Sequence, residues 1–365
     1  MNVSEFLDLT AEIVPAREAT VFEGKRRTFS QFSEHVNGMV RFLASLDINH
    51  GDRIAILEVN TDDHIAALFA SSKLGAVFVP LNYRAKADEV RYMINDSEAK
   101  VLLVGSAYQD LVDSLEPDLL TVKHIISLDR LDTTWPSRKE SSKSGIGDRY
   151  TALNDDTETS LLLFTAGTTG KPKGVLLSHE TFSSFLLTNL EPADPDIIER
   201  TALSVPLYHI AGIQALMASI YGGRTLVIQR QFEPAQWLQL VERERVTRTT
   251  LVPTMLKMVI EHPAFLDTDL SSLDTITYGA APMPLEVIKR AIAVLPKVRF
   301  INAFGQTETG ATISMLPPED HDLSGPPEEI PKKLRRLSSI GKPLPDVDVN
   351  IVDESGVVLP PGQIG

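Results

Sequence analysis

The chain has 365 residues, 43% hydrophobic and 23% charged, which suits a globular protein of about two or three folding units. Thirty-five Lys and Arg against 49 Asp and Glu give a net charge of −14, which argues against nucleic acid as the main partner, because a backbone binder needs a basic face. The chain contains no cysteine, so disulfides, cysteine-ligated zinc, iron–sulfur clusters and a thiol nucleophile are excluded.

The N-terminal stretch "MNVSEFLDLTAEIVPARE" has no basic segment followed by an apolar core, so it does not read as a signal peptide. No apolar run reaches the length of a membrane span, and a cytoplasmic protein is expected. From residue 53 the pattern alternates. "RIAILEV" (53–59), "AVFVPL" (76–81), "KVLLVG" (100–105) and "HIISLD" (124–129) predict strands. "DHIAALFASSKL" (63–74) and "ADEVRYMINDS" (87–97) predict helices between them. This rhythm implies an α/β fold with a mostly parallel, doubly covered sheet. Residues 132–150 are polar and read as a surface linker.

A second α/β block follows. Strands are expected at 159–166, 175–177, 201–207, 224–229, 248–253, 273–279 and 298–305. Helices are expected from about 179 and near 209–220, 234–245, 253–262 and 284–295. Residues 317–338, rich in proline and charge, predict a long surface loop. Two alternating runs around "DESG" in the tail predict a hairpin that begins a small β subdomain. The expected organisation is a first block over 1–150, a second over 151–316, and a loop with the start of a β subdomain over 317–365.

The stretch "LLLFTAGTTGKPKGVLLSH" (161–179) has the composition of a phosphate loop but not its usual form. The common pattern needs Gly-Lys followed by Ser or Thr, and here Gly170-Lys171 precedes Pro172. The loop joins strand to strand, so an anion would be held by the loop itself rather than by a helix N-terminus. Gly167, Gly170 and Gly174 let backbone amides approach a phosphate. Thr165, Thr168 and Thr169 offer hydroxyls, Lys173 offers a cation, and Pro172 stiffens the turn. A glycine-rich hairpin with solvated lysines is the plain alternative, and it does not account for all these features in ten consecutive residues.

At "FTAGTTGKPKGV", "TYGAAPMP" (277–284) and "NAFGQTETG" (302–310), in that order, the sequence resembles the AMP-binding, adenylate-forming superfamily, which includes acyl-CoA synthetases, luciferases and the adenylation domains of peptide synthetases. The resemblance covers essentially the whole chain but only the family's large N-terminal part. It implies two stacked, doubly covered sheet subdomains and ATP, Mg²⁺ and CoA as reaction partners. It makes Gly279, Ala280, Ala281 and Pro282 an adenine-binding strand end, with Asn302 offering its amide oxygen to the adenine amino group. Phe304 would stack on the base beside Gly305, where the family more often has Tyr. Thr307 would donate to the α-phosphate, and Glu308 would hold Mg²⁺, a hard cation that takes oxygen ligands. Lys173 and the loop residues Thr165, Gly167, Thr168, Thr169 and Gly170 would bind the phosphates. Ala166 stands where many members have Ser, a loss of about 1 kcal/mol of hydrogen bonding.

The segment "PLYHIAGIQ" (206–214) resembles one that borders the carboxylate pocket in acyl-CoA synthetases, with His209 as a gate and Ala211 and Gly212 leaving room for the acid. A carboxylate nucleophile is already ionised at pH 7, so His209 is not read as a general base. The plain alternative is a helix N-terminal residue with a satisfied hydrogen bond. The family's chain continues past Gly365 into a small C-terminal domain, so a truncated and impaired form is expected. The implied reaction joins a fatty or aromatic acid to CoA through an acyl-AMP, with no nucleic-acid partner and a homo-oligomer allowed. Loading of a carrier protein and a degenerate, non-catalytic nucleotide binder are the competing readings.

Overall fold

The structure is a computed structural model that describes residues 1–130, 157–166, 170–310 and 312–365. The expected linker at 132–150 lies outside the described residues, as do Gly167, Thr168 and Thr169. In chain order the strands are β1 Glu18–Phe22, β2 Lys25–Thr28, β3 Arg53–Leu57, β4 Val77–Pro80, β5 Val101–Val104 and β6 His124–Ser127. They continue with β7 Thr159–Thr165, β8 Lys173–Ser178, β9 Arg200–Leu203, β10 Thr225–Ile228 and β11 Arg248–Leu251. The last four are β12 Thr275–Gly279, β13 Arg299–Gly305, β14 Thr312–Leu316 and β15 Lys342–Pro343.

Among the described residues these strands form two sheets. One runs β6-β5-β3-β4-β7-β8, parallel except for the closing β7–β8 hairpin. The other runs β15-β14-β13-β12-β11-β9-β10-β1-β2, parallel from β13 to β1 with antiparallel strands at both edges.

Alternation along each strand assigns the layers. Ile54 and Ile56 of β3, Leu161 and Leu163 of β7 and Leu226 and Ile228 of β10 point into one shared core. Helices Val3–Ile13, Phe29–Ser45, Asp62–Lys73, His179–Asn189 and Ile210–Tyr221 fill that core between the sheets. Ala55, Leu57 and Leu162 face outward under helix Ala87–Asp96. Val227, Ile276 and Phe300 face outward under helices Pro234–Glu244, Pro253–Ile260 and Leu285–Val294. The architecture is therefore five alternating layers of helix and sheet, with each sheet covered on both faces as parallel sheets require.

Helix Asp62–Lys73 lies in the central layer, and nearly all its residues are buried. Its ends remain satisfied: the Thr61 hydroxyl accepts from the His64 amide at 3.0 Å, and Lys73 pairs with Asp8 at 2.7 Å. No helix among the described residues is long and apolar enough to cross a membrane.

The sheets do not divide at residue 150. β7 and β8 complete the first sheet through the Phe78–Leu161 pairing. β1, which lies in the expected first block, pairs with β10 in the second sheet and carries β2 with it at the edge. An edge takes whichever strand fits it, regardless of chain order. The 317–338 stretch is not one long loop: it holds a short turn at Pro318–His321 and a helix at Ile330–Leu337. Pro331 falls in that helix's first turn, where a missing amide costs nothing. The tail hairpin is reduced to one antiparallel bridge, Val352–Val358, around the Asp353–Gly356 turn.

Candidate active site

The β7–β8 hairpin carries the first motif. Its two strands pair to the end, with Thr165 opposite Lys173. The Thr165 hydroxyl donates to the Lys173 carbonyl at 3.4 Å. Gly170 has φ +90° and nothing near the position a Cβ would take. Lys171 lies over the Tyr92 ring at 5.4 Å, which commits one of the two lysines to helix Ala87–Asp96. The Lys173 side chain is exposed and makes no hydrogen bond or ion pair among the described residues. Ala166 is exposed at the loop's start. The following helix is capped by its own Ser178, whose hydroxyl accepts from the Thr181 amide at 3.3 Å.

The turn Thr307–Thr309 comes from the other sheet and lies against this hairpin. A Cβ on Gly310 would meet Thr181 at 1.8 Å and Leu177 at 3.5 Å, and Gly310 has φ +68°. Only glycine allows that approach. Thr309 pins the turn: its hydroxyl accepts from the Gln306 amide and donates to the Gln306 carbonyl, both at 2.9 Å. That leaves the Thr307 hydroxyl and the exposed Glu308 carboxylate without partners among the described residues. No cluster of three or more His, Asp or Glu among those residues could hold a metal alone. A single free carboxylate beside a phosphate loop fits Mg²⁺, which binds through one or two carboxylates together with the phosphates of its substrate.

β12 and β13 end beside that turn, and β13 has two faces. Asn302 and Phe304 share the side of Phe300, under the outer helices. Ile301, Ala303 and Gly305 face the opposite side. The Asn302 amide donates to the Ser339 carbonyl at 3.3 Å, which leaves its oxygen available. Phe304 is half-buried. Gly279 is required, since a Cβ there would lie 2.1 Å from the Ala303 carbonyl oxygen. Ala280 follows at φ +63°, a left-handed conformation uncommon outside glycine and found most often at functional turns. Ala281 and Pro282 are exposed beyond it.

The opposite face of β13 borders a cavity of about 190 Å³. Helix Ile210–Tyr221 roofs it through Ala211, Ala215 and Ala218, and β11 to β14 form its floor. Gln214 and Thr312 tie roof to floor with a side-chain hydrogen bond of 2.8 Å. Gly279, Ala280, Gly305 and Gln306 lie at the carboxyl ends of the strands, where ligands bind in such sheets. Arg224 and Arg248 line the other end.

His209 precedes the roof helix and is not among the cavity's lining residues. Its ring lies 4.2 Å from that of Tyr208, which meets Tyr83 edge-on at 5.1 Å. Desolvation by this packing, then the charge of Arg84, lowers its pKa, so the ring is neutral at pH 7. It caps no amide of the helix. Gly212 does not line the cavity either. A Cβ there would lie 2.3 Å from the Pro206 carbonyl oxygen, so this glycine lets the helix pack on the 205–207 segment. Of the three expected acid-pocket residues, the cavity contains Ala211.

The AMP-binding enzyme family matches residues 7–365. The chain belongs to the AMP-binding enzyme family. A feruloyl-CoA synthase from Amycolatopsis sp is 30% identical over 356 residues, covering 97% of this chain and 67% of that protein. The fatty acid–[acyl-carrier-protein] ligase ScoC of Streptomyces coeruleorubidus is 28% identical, covering 97% and 66%. The inhibitor-bound N-terminal domain of FACL13 from Mycobacterium tuberculosis superposes with a TM-score of 0.82 at 26% identity, covering 98% of this chain and 86% of that one. This AMP-binding enzyme thus spans about two thirds of the length of the curated relatives it matches.

Several residues that build the site were not singled out from the sequence. Asn60, 1% exposed, follows β3 and donates to the Val205 and Gln229 carbonyls at 3.1 and 3.3 Å. Its oxygen accepts from the Leu207 amide at 3.0 Å. It thereby fastens the segment before His209 to the first sheet. The small residues at 211, 215 and 218 do carry a helical-face signal, at spacings of four and three. Arg224 and Arg248 carry no local signal, because their meeting depends on strand order.

Proposed function

We propose that these residues form the adenylating part of an acyl-CoA synthetase. A carboxylate oxygen of the acid attacks the α-phosphorus of ATP, the bond to pyrophosphate breaks, and acyl-AMP remains. The sulfur of CoA then attacks the acyl carbonyl, its proton passes to solvent, and AMP leaves. The observation that carries this reading is the two-sided end of β13: Asn302 and Phe304 on one face, the acid-sized cavity on the other, and Thr307 just beyond both.

In this reading Phe304 stacks on adenine, the Asn302 oxygen accepts from its amino group, and the Gly279–Pro282 backbone lines its edge. Thr165, Gly167, Thr168, Thr169, Gly170 and Lys173 hold the phosphates, and Thr307 donates where charge develops on the α-phosphate. Glu308 would hold Mg²⁺ against the phosphates, and the metal would supply positive charge beside the leaving pyrophosphate. The acid lies under helix Ile210–Tyr221, with neutral His209 beside its entrance. No general base is needed, because the nucleophile is already ionised.

Pyrophosphate release measured over a panel of fatty and aromatic acids tests the first step, together with calorimetric titration of ATP·Mg and a non-hydrolysable acyl-adenylate mimic. Acid-dependent pyrophosphate release and tight binding of the mimic are expected. Absence of binding by either ligand would sink the proposal. The relative that loads an acyl carrier protein supports a second acceptor. Thioester formation assayed with CoA and with a phosphopantetheinylated carrier separates the two.

A further inference from the structure

The cavity under helix Ile210–Tyr221 does not end as an apolar pocket. Both Arg248 and Val252 line it, so it follows β11 for four residues, roughly 13 Å at the rise of a strand. One end lies at Gly279, Ala280 and Gly305, where the reacting carboxylate belongs. The other lies at Arg224 and Arg248.

Those two guanidinium groups share one carboxylate. Glu199 accepts from Arg224 Nε at 2.6 Å and from Arg248 at 2.9 Å. Arg224 also donates to the Ala218 carbonyl at 3.3 Å. The neighbouring Arg299 is already paired with Asp274 and so adds no net charge. One positive charge is left over at this end. Each guanidinium has five N–H donors, and most remain unused among the described residues. The Arg224 and Arg248 side chains keep 16% and 24% of their surface exposed, so the spare donors are not sealed away. Burial pushes the Glu199 carboxyl up, but the two arginines outweigh it and hold its pKa low, so it stays ionised. Burial and the adjacent Arg248 charge disfavour the Arg224 cation, a cost that a second anion would relieve.

Resting on the acyl-adenylating reading above, we infer that the preferred acid carries a second anionic group, with Arg224 and Arg248 binding that distal carboxylate across the cavity from the reacting one. A purely apolar tail would leave these donors facing hydrocarbon, whereas a dicarboxylic acid of matching length satisfies both ends.

The test compares two non-hydrolysable acyl-sulfamoyl adenosine mimics by calorimetry with the 365-residue protein. Their tails have equal length and end in a methyl group or in a carboxylate. The carboxylate-ended mimic should bind roughly tenfold or more tightly, the usual effect of charged hydrogen bonds. In Arg248→Met the ratio of the two affinities should fall to near one, and Arg248→Lys should restore part of it. Equal or weaker binding of the carboxylate-ended mimic to the unaltered protein would overturn the inference, while binding of the methyl-ended mimic would leave the adenylating reading standing. Binding of neither mimic would overturn both.

Discussion

Replacing Asn60 by alanine should both destabilise the protein and loosen its acid site. Asn60 is buried between the sheets, and its side chain makes three hydrogen bonds, to Val205, Gln229 and Leu207. At about 1 kcal/mol net for each bond, the loss is about 3 kcal/mol. A water entering the vacated space would recover part of this and leave about 2 kcal/mol. The backbone amide of residue 60 would still reach the Arg230 carbonyl at 3.1 Å, so the chain should still fold. The freed partners belong to the segment that leads into His209 and the roof helix. Affinity for an acyl-adenylate mimic should therefore fall more than affinity for ATP·Mg, whose phosphates are assigned to the β7–β8 loop. Urea unfolding gives the stability change and calorimetry the two affinities. A loss under about 1 kcal/mol with both affinities unchanged would refute the claim that this residue couples the sheets to the site.

If Glu308 holds Mg²⁺ as proposed, Glu308→Gln should lower ATP affinity about tenfold in the presence of Mg²⁺ and little in its absence; calorimetry with and without the metal checks it. Phe304→Ala should weaken nucleotide binding by about 1–3 kcal/mol, the range for a base stacked on a ring, while Phe304→Tyr keeps it. Gly212→Ala should cost about 2 kcal/mol or more in urea unfolding, since its Cβ would lie 2.3 Å from the Pro206 carbonyl oxygen; an unchanged midpoint would mean that the glycine serves some other purpose. Burial lowers the pKa of His64 from 6.5 to about 4. Between these values the unfolded chain binds a proton that the folded chain does not, so stability present above pH 6.5 is lost as pH falls toward 4, by about 3 kcal/mol. His64→Gln should flatten that limb of the stability–pH curve.

Elements with a strong period and clear punctuation were legible in the sequence. β3 to β5, the helices between them and the Ser178-capped helix fall where periodicity puts them, within a few residues. What escaped is set by strand order. Nothing local to Glu18–Thr28 says that it will pair with β10, and nothing local to Arg224 and Arg248 says that they will share Glu199. Pro331 misled in a different way, because a proline in a helix's first turn has the same composition signal as a proline in a loop. Of the residues expected in an acid pocket, one lines the cavity. Ala211 and Gly212 are adjacent, and their helix turns one toward the cavity and the other toward Pro206.

β13 shows how short motifs can point to a proposed nucleotide site while leaving its acid specificity hidden. Successive side chains of a strand point to opposite faces, so Asn302 and Phe304 lie on one face while Ile301, Ala303 and Gly305 lie on the other, toward the cavity. A slip of one residue would exchange the two sets, and the pairing with β14 does shift between Phe304 and Gly305, where the strand gives way to the Thr307 turn. The nucleotide side depends on residue types fixed by a shared reaction. The acid side depends on the size and charge of whatever fills alternate positions on four strands and one helix, and here those positions end at two arginines.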